Sequence, residues 1–206
     1  MECTGGARLI VLAGVLLIST GAQVIEFESG GLKYLTQTKQ GVTVMFAHLP
    51  SQVRDYSILQ VAVSNGSAKP WSLRPQDFRW ERSDGRTIPA AAPKLVIAEL
   101  LDRASRNDVI KLVTAYEAGL YGMARGSSTN GYEQRRQAFF SEGGPGRIKA
   151  AAAASAIAFV ETKLPPGAST DGALFYPTEG KGLGPGRLLV DVAGTVFEFR
   201  AEPGAP

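Results

Sequence analysis

At 206 residues, 44% of them hydrophobic, the chain has the material for one ordinary domain with a substantial core, and no disulfide staple is required. Charged residues make up 20% of it and the net charge is only +3, so the basic excess is spread thinly along the chain. A clustered basic stripe of the kind that nucleic-acid binding needs is absent, and nucleic acid is not expected as a partner.

The N-terminus reads as a secretory signal peptide over residues 1–22. Arg8 precedes the apolar run LIVLAGVLLI, and Thr20 and Ala22 stand at the −3 and −1 places for cleavage before Gln23. Ten apolar residues fall short of the ~20 that a spanning helix needs, so the mature chain is expected to carry no transmembrane span. An uncleaved N-terminal segment retained as an anchor is the competing reading. Cys3 lies ahead of the apolar run, and its removal leaves no cysteine for a disulfide, a thiol nucleophile or a metal. Export to the periplasm or beyond is the expectation, with stability resting on packing alone.

QVIEFESGG reads as a lead with a first strand that a glycine pair ends. GVTVMFAHLP alternates Val42, Val44 and Phe46 against Thr43, Met45 and Ala47, and Pro50 is expected to stop it. YSILQVAVSN alternates in the same way, and Asn65-Gly66 supplies turn chemistry after it. Pro70 and Pro75 keep the next stretch extended and near a sheet edge. Phe78 and Trp80 then share one face of a strand that turns at Asp84-Gly85 into Thr87-Ile88.

From Pro89 the period changes to that of a helix. Ile97, Leu100, Leu101 and Ala104, then Val109, Leu112, Val113, Tyr116 and Leu120, predict two helices with one buried stripe. Ser105 and Asp108 have the spacing of a cap between them. GSSTNG is a polar loop, YEQRRQAFF a further short helix, and RIKAAAAASAIAFV a strong helix former, because alanine loses no side-chain entropy. Strand signals return in VETKL and DGALFYP, and RLLVDVAGTVFEFRA closes as a hairpin over Ala193-Gly194. The plan is a single domain over 23–206: about seven or eight strands of an antiparallel β-sandwich, interrupted by a helical insertion at about 89–160.

VAVSNGS, PQDFRWERSDGR and KLPPGASTDGALFYP resemble the strand, loop and hairpin signatures of bacterial exported immunoglobulin-like sandwiches, the telokin-like accessory domains. The resemblance covers residues 41–88 and 163–199, and it implies an immunoglobulin-like antiparallel sandwich with no catalytic residues to carry over. The helical block at 89–159 departs from that pattern, which makes it the place where a function particular to this chain would sit.

No catalytic constellation is visible. His48 is the only histidine and reads as a strand-end residue, without a second imidazole to share a metal. There is no G-x-S-x-G elbow. Asp77, Glu81 and Asp84 cluster around a hairpin as solvated turn residues without calcium-loop spacing. The glycine-rich stretches GGPGRIK and GKGLGPGR match neither phosphate-loop pattern and read as turns. Asn65-Gly66-Ser67 fits the N-glycosylation pattern and equally fits a hairpin turn. Tyr132, Arg135, Arg136, Phe139 and Phe140 combine the residue types of interface hot spots, and are the candidate interface; a short amphipathic helix that completes the core is the alternative.

The sequence therefore points to a non-enzymatic exported module of the cell envelope that needs no cofactor and contacts a protein partner through the insertion and the sandwich loops. Two other readings stay open: a hydrolase of envelope polymer using paired carboxylates, and a structural protein that self-associates through a strand edge or helix face.

Overall fold

A computed structural model of the chain describes residues 23–122 and 144–201, with side chains described for 23–115 and 144–200. The fold is mainly β with a helical insertion. The strands are β1 (Val24–Ser29), β2 (Leu32–Lys39), β3 (Val42–Val53), β4 (Tyr56–Asn65), β5 (Trp71–Leu73), β6 (Phe78–Arg82), β7 (Thr87–Pro89), β8 (Thr162–Leu164), β9 (Ser169–Pro177), β10 (Gly186–Val192) and β11 (Thr195–Ala201). The helices are α1 (Pro93–Arg103), α2 (Arg106–Gly122) and α3 (Gly146–Ile157).

Five strands form one antiparallel sheet in the order β1-β2-β3-β4-β9; four form a second in the order β11-β10-β6-β7, and β5 pairs with β8 in a short ribbon. The alternation read from the sequence sets the register. Val42, Val44 and Phe46 of β3, with Leu59, Val61 and Val63 of β4, point at Phe78 and Trp80 of β6 and at Leu188, Val190, Phe197 and Phe199 of the last hairpin. Phe46 meets Phe199 edge-on at 5.2 Å between the sheets. This is the sandwich core.

The opposite face of the five-stranded sheet is also covered. Tyr34, Ala47, Ile58, Ala173 and Phe175 pack under Val96 and Leu100 of α1, Leu112 and Ala115 of α2, and the alanine face of α3. The helices are thus a third layer, and β4 is buried along nearly its whole length because it has no solvent face. Much of the α3 interface is alanine, from Ala150 to Ala156, which lets the helix axis approach the sheet closely. Each buried methyl contributes only about 0.8 kcal/mol, so the layer is held by closeness of fit more than by large side chains. Arg54, in the β3–β4 turn with φ of 53°, pins this layer to the sandwich. Its Nη1 donates to the Arg103 carbonyl at 2.8 Å and lies 3.7 Å from Asp108.

Three local expectations need correction. Pro50 does not stop its strand: β3 runs on to Val53 through a register shift between His48 and Gln52. The pairing of β2 with β3 ends at Ala47, so the N–H that proline lacks has no β2 partner to miss. Asn65-Gly66 does not turn a hairpin either; the Gly66 N–H bonds to the Gly41 carbonyl, and the chain leaves the sheet toward β5. The helical stripe differs from the expected one at a single place: Leu100 and Leu112 are buried and Ile97, Ala104 and Val109 pack against the same cluster, but Leu101 is 44% exposed and Val96 is buried in its stead. Tertiary anchors accompany this exchange, the Ala91 N–H on the Phe175 carbonyl and the Tyr56 hydroxyl on Glu99 at 2.7 Å. Tyr116 and Leu120 lie outside the described side chains. The cap between the helices forms as expected, with the Ser105 N–H and hydroxyl on the Asp108 carboxylate at 2.6 and 2.9 Å.

Candidate functional site

The hairpin carboxylates do not converge on a common point. Asp77 accepts from the backbone and guanidinium of Arg74, each at 2.8 Å, and closes the short 3-10 turn (Pro75–Asp77). Glu81 is gripped by Arg187, whose other face holds Glu198 at 2.8 Å. Asp84 pairs with Arg86 at 2.8 Å and with Arg82 at 3.6 Å. The Arg86 guanidinium holds the Asp84 carboxyl below its ordinary range, and Arg187 does the same for Glu198. A general acid at neutral pH needs the opposite shift, so neither Asp84 nor Glu198 is suited to that role.

His48 lies in mid-strand, open to solvent on one side and with its ring edge-on to Trp80 at 5.9 Å on the other. Lost hydration lowers its pKa, against a smaller opposite effect from a hydrogen bond to the Leu49 backbone. Among the described residues no group of three or more metal-ligating side chains is present, and no helix is long and apolar enough to cross a membrane.

The glycine stretches serve packing. In GKGLGPGR, Leu183 is buried in the sandwich core, while Gln52 ties the loop down by donating to the Gly180 carbonyl at 2.8 Å and accepting from the Gly182 N–H at 2.9 Å. In GGPGRIK, Gly146 begins α3 where a Cβ would sit 3.2 Å from the Arg106 nitrogen, so the N-terminal ends of α2 and α3 meet there. Beside that meeting point lies an open cleft of about 390 Å³ lined by Arg106, Val109, Ile110, Gly144, Gly146 and Lys149. Ile110 is 54% exposed, and Leu95 and Leu101 of α1 are 66% and 44% exposed, so the outer side of the helical layer carries large aliphatic groups.

The Asn65 sequon is a structural knot. Its amide nitrogen donates to the carbonyls of Lys69 (2.8 Å) and Leu164 (3.0 Å), and its oxygen accepts from the Ser67 N–H (3.0 Å) and hydroxyl (2.7 Å). A nitrogen so enclosed has no room for a glycan in this fold. The candidate interface residues Tyr132, Arg135, Arg136, Phe139 and Phe140 lie outside the described residues.

One feature was legible only as a first strand: β1 is exposed along nearly all its length and, among the described residues, pairs on one side alone, with β2. The available signal was the Gly30-Gly31 turn, which guarantees β1 one neighbour, β2, and says nothing of its other side. Comparison with protein-family models, with curated proteins and with solved structures gave no match to this chain.

Proposed function

We propose that the chain is a non-enzymatic, exported binding or assembly module of the cell envelope, built on an immunoglobulin-like sandwich and contacting a protein partner through its helical layer. The strand order supports the sandwich reading. β3, β4 and β9 lie together in one sheet and β7, β6, β10 and β11 in the other, with the chain crossing between sheets from β4 to β6 and from β9 to β10. That order supports an immunoglobulin-like Greek-key reading, in which the helices take the place of the strand that would precede β9. The carrying observation for binding is Ile110, exposed in the lining of a cleft that also bears Arg106 and Lys149, with Leu95 and Leu101 of α1 as further exposed aliphatic groups of the helical layer.

The test is site-specific photo-crosslinking from position 110 in cells that export the protein, with Ser169 as a sandwich-side control. A discrete adduct from position 110, lost in the Leu95→Glu/Leu101→Glu variant, is the expected result. Equal adducts from both positions, or none, would overturn the assignment. Deleting the helices is no substitute, because it would strip the cover from Tyr34, Ile58 and Phe175. Sequencing the N-terminus of the exported protein tests the compartment: it should begin at Gln23.

A further inference from the structure

Sheet edges are where backbone groups lack partners, and proteins cover them or shorten them. The outer edge of β9 is covered by the chain itself: the Phe159 N–H donates to the Ala173 carbonyl at 2.9 Å and the Ala91 N–H to the Phe175 carbonyl at 2.7 Å. The outer edge of β11 is capped by side chains of β2, with Lys39 Nζ on the Val196 carbonyl at 2.5 Å and the Glu198 N–H on Gln37 at 3.3 Å. β7 is three residues long and ends in Pro89. Among the described residues β1 pairs with β2 alone and shows none of these devices. It is six residues long, contains no proline, lysine or arginine, and exposes Ile25 at 58% and Phe27 at 39%.

We infer that the outer edge of β1 is a strand-addition site for an extended protein segment in which apolar residues alternate with Lys or Arg. The side-chain order of β1 carries the chemistry. Phe27 stacks on Tyr34 at 5.3 Å, which places Phe27 and Ile25 on the helix-covered side of the sheet. Glu26 and Glu28 stand on the other side, exposed, with Glu26 at 2.7 Å from Lys33 of β2. In an antiparallel extension, residues directly opposite share a face. An added strand would therefore set apolar side chains against Ile25 and Phe27 and cations against Glu26 and Glu28, extending the Glu26–Lys33 charge ladder by one strand. A second copy of β1 is the poorer occupant. Two-fold pairing centred on Glu26 or on Phe27 sets glutamate against glutamate, and such pairs destabilise an antiparallel ladder.

The probes are three synthetic peptides titrated into the purified protein: alternating lysine and valine, alternating glutamate and valine, and three lysines followed by three valines. The lysine-alternating peptide should bind best, by about fivefold or more over the others, the ratio that two favourable cross-strand charge pairs imply. It should also slow hydrogen exchange in residues 24–29. The Glu26→Lys/Glu28→Lys variant should reverse the preference toward the glutamate peptide, an exchange of specificity that a merely weakened fold cannot produce. Glu26→Gln/Glu28→Gln should abolish the preference while keeping the thermal midpoint. Binding of the block peptide as tightly as the alternating one, no binding at all, or an unreversed preference would overturn the inference. So would dimerisation of the protein itself that protects β1 from exchange.

Discussion

Replacing Asn65 probes how much of the fold rests on a single side chain in a turn. In Asn65→Ala all four hydrogen bonds to its amide disappear, and the Leu164 carbonyl, in a buried setting, loses a donor. At about 1 kcal/mol net for each bond the upper limit is near 4 kcal/mol, and water can reach the ends at Ser67 and Lys69, so a loss of about 3 kcal/mol is expected. Asn65→Asp is the sharper perturbation. It keeps the shape and the oxygen that serves Ser67, but turns an oxygen toward the two carbonyls that received N–H groups. At neutral pH its loss should equal or exceed that of alanine. The folded state would raise this carboxyl's pKa, so the deficit is largest above it and should shrink as acid supplies one O–H donor near pH ~4. Urea unfolding midpoints at the two pH values measure both effects. A loss under about 1 kcal/mol for alanine, or an aspartate variant as stable as the parent, would refute the account of the knot.

Gln60 is fully buried beneath the helices between Ala47 and Ala173, and neither of its side-chain polar atoms has a partner among the described residues. Gln60→Met keeps the volume and removes the unpaired groups, so unfolding should become harder by about 1 to 3 kcal/mol; a destabilised variant would mean the amide is hydrogen-bonded in solution. Gly172 lies where a Cβ would come within 2.7 Å of the Phe159 backbone, so Gly172→Ala should cost about 1 to 3 kcal/mol and speed exchange of the Phe159 amide; unchanged exchange would contradict the edge closure. Arg187 holds the Glu198 carboxyl below its ordinary pKa, chiefly by hydrogen bonding. That contribution is present above the unfolded carboxyl pKa of about 4.3 and fades as pH falls through the lower folded value. The stability gap between the parent and Arg187→Gln should therefore narrow toward acid, and a gap independent of pH would remove the ion pair from the account.

Period-two alternation was enough to locate β3, β4, β6 and the β10–β11 hairpin, because a strand with one face on a core must repeat every second residue. The helical block was equally plain, down to the Ser105–Asp108 cap, since capping is a contact between near neighbours in the chain. What alternation does not encode is whether the second face of a sheet meets water. Ala47, Ile58 and Ala173 lie in period-two alternation that would suit an ordinary outer face; only the tertiary structure lays the alanine surface of α3 and its neighbours over them, making a third layer. On α1 the hydrophobic spacing marked the buried face at Ile97, Leu100 and Ala104, and the distant anchors, the Phe175 carbonyl and Tyr56, accompany the exchange of Leu101 for Val96 in it. The same division holds for the candidate sites. Asp77, Glu81 and Asp84 are near one another in sequence, yet Glu81 takes its partner Arg187 from across the second sheet. Local chemistry determined which elements form, because propensity and periodicity act over a few residues. Long-range contacts decided which faces are covered and which edge stays open, because a strand's free edge is defined only by every other strand that could have filled it.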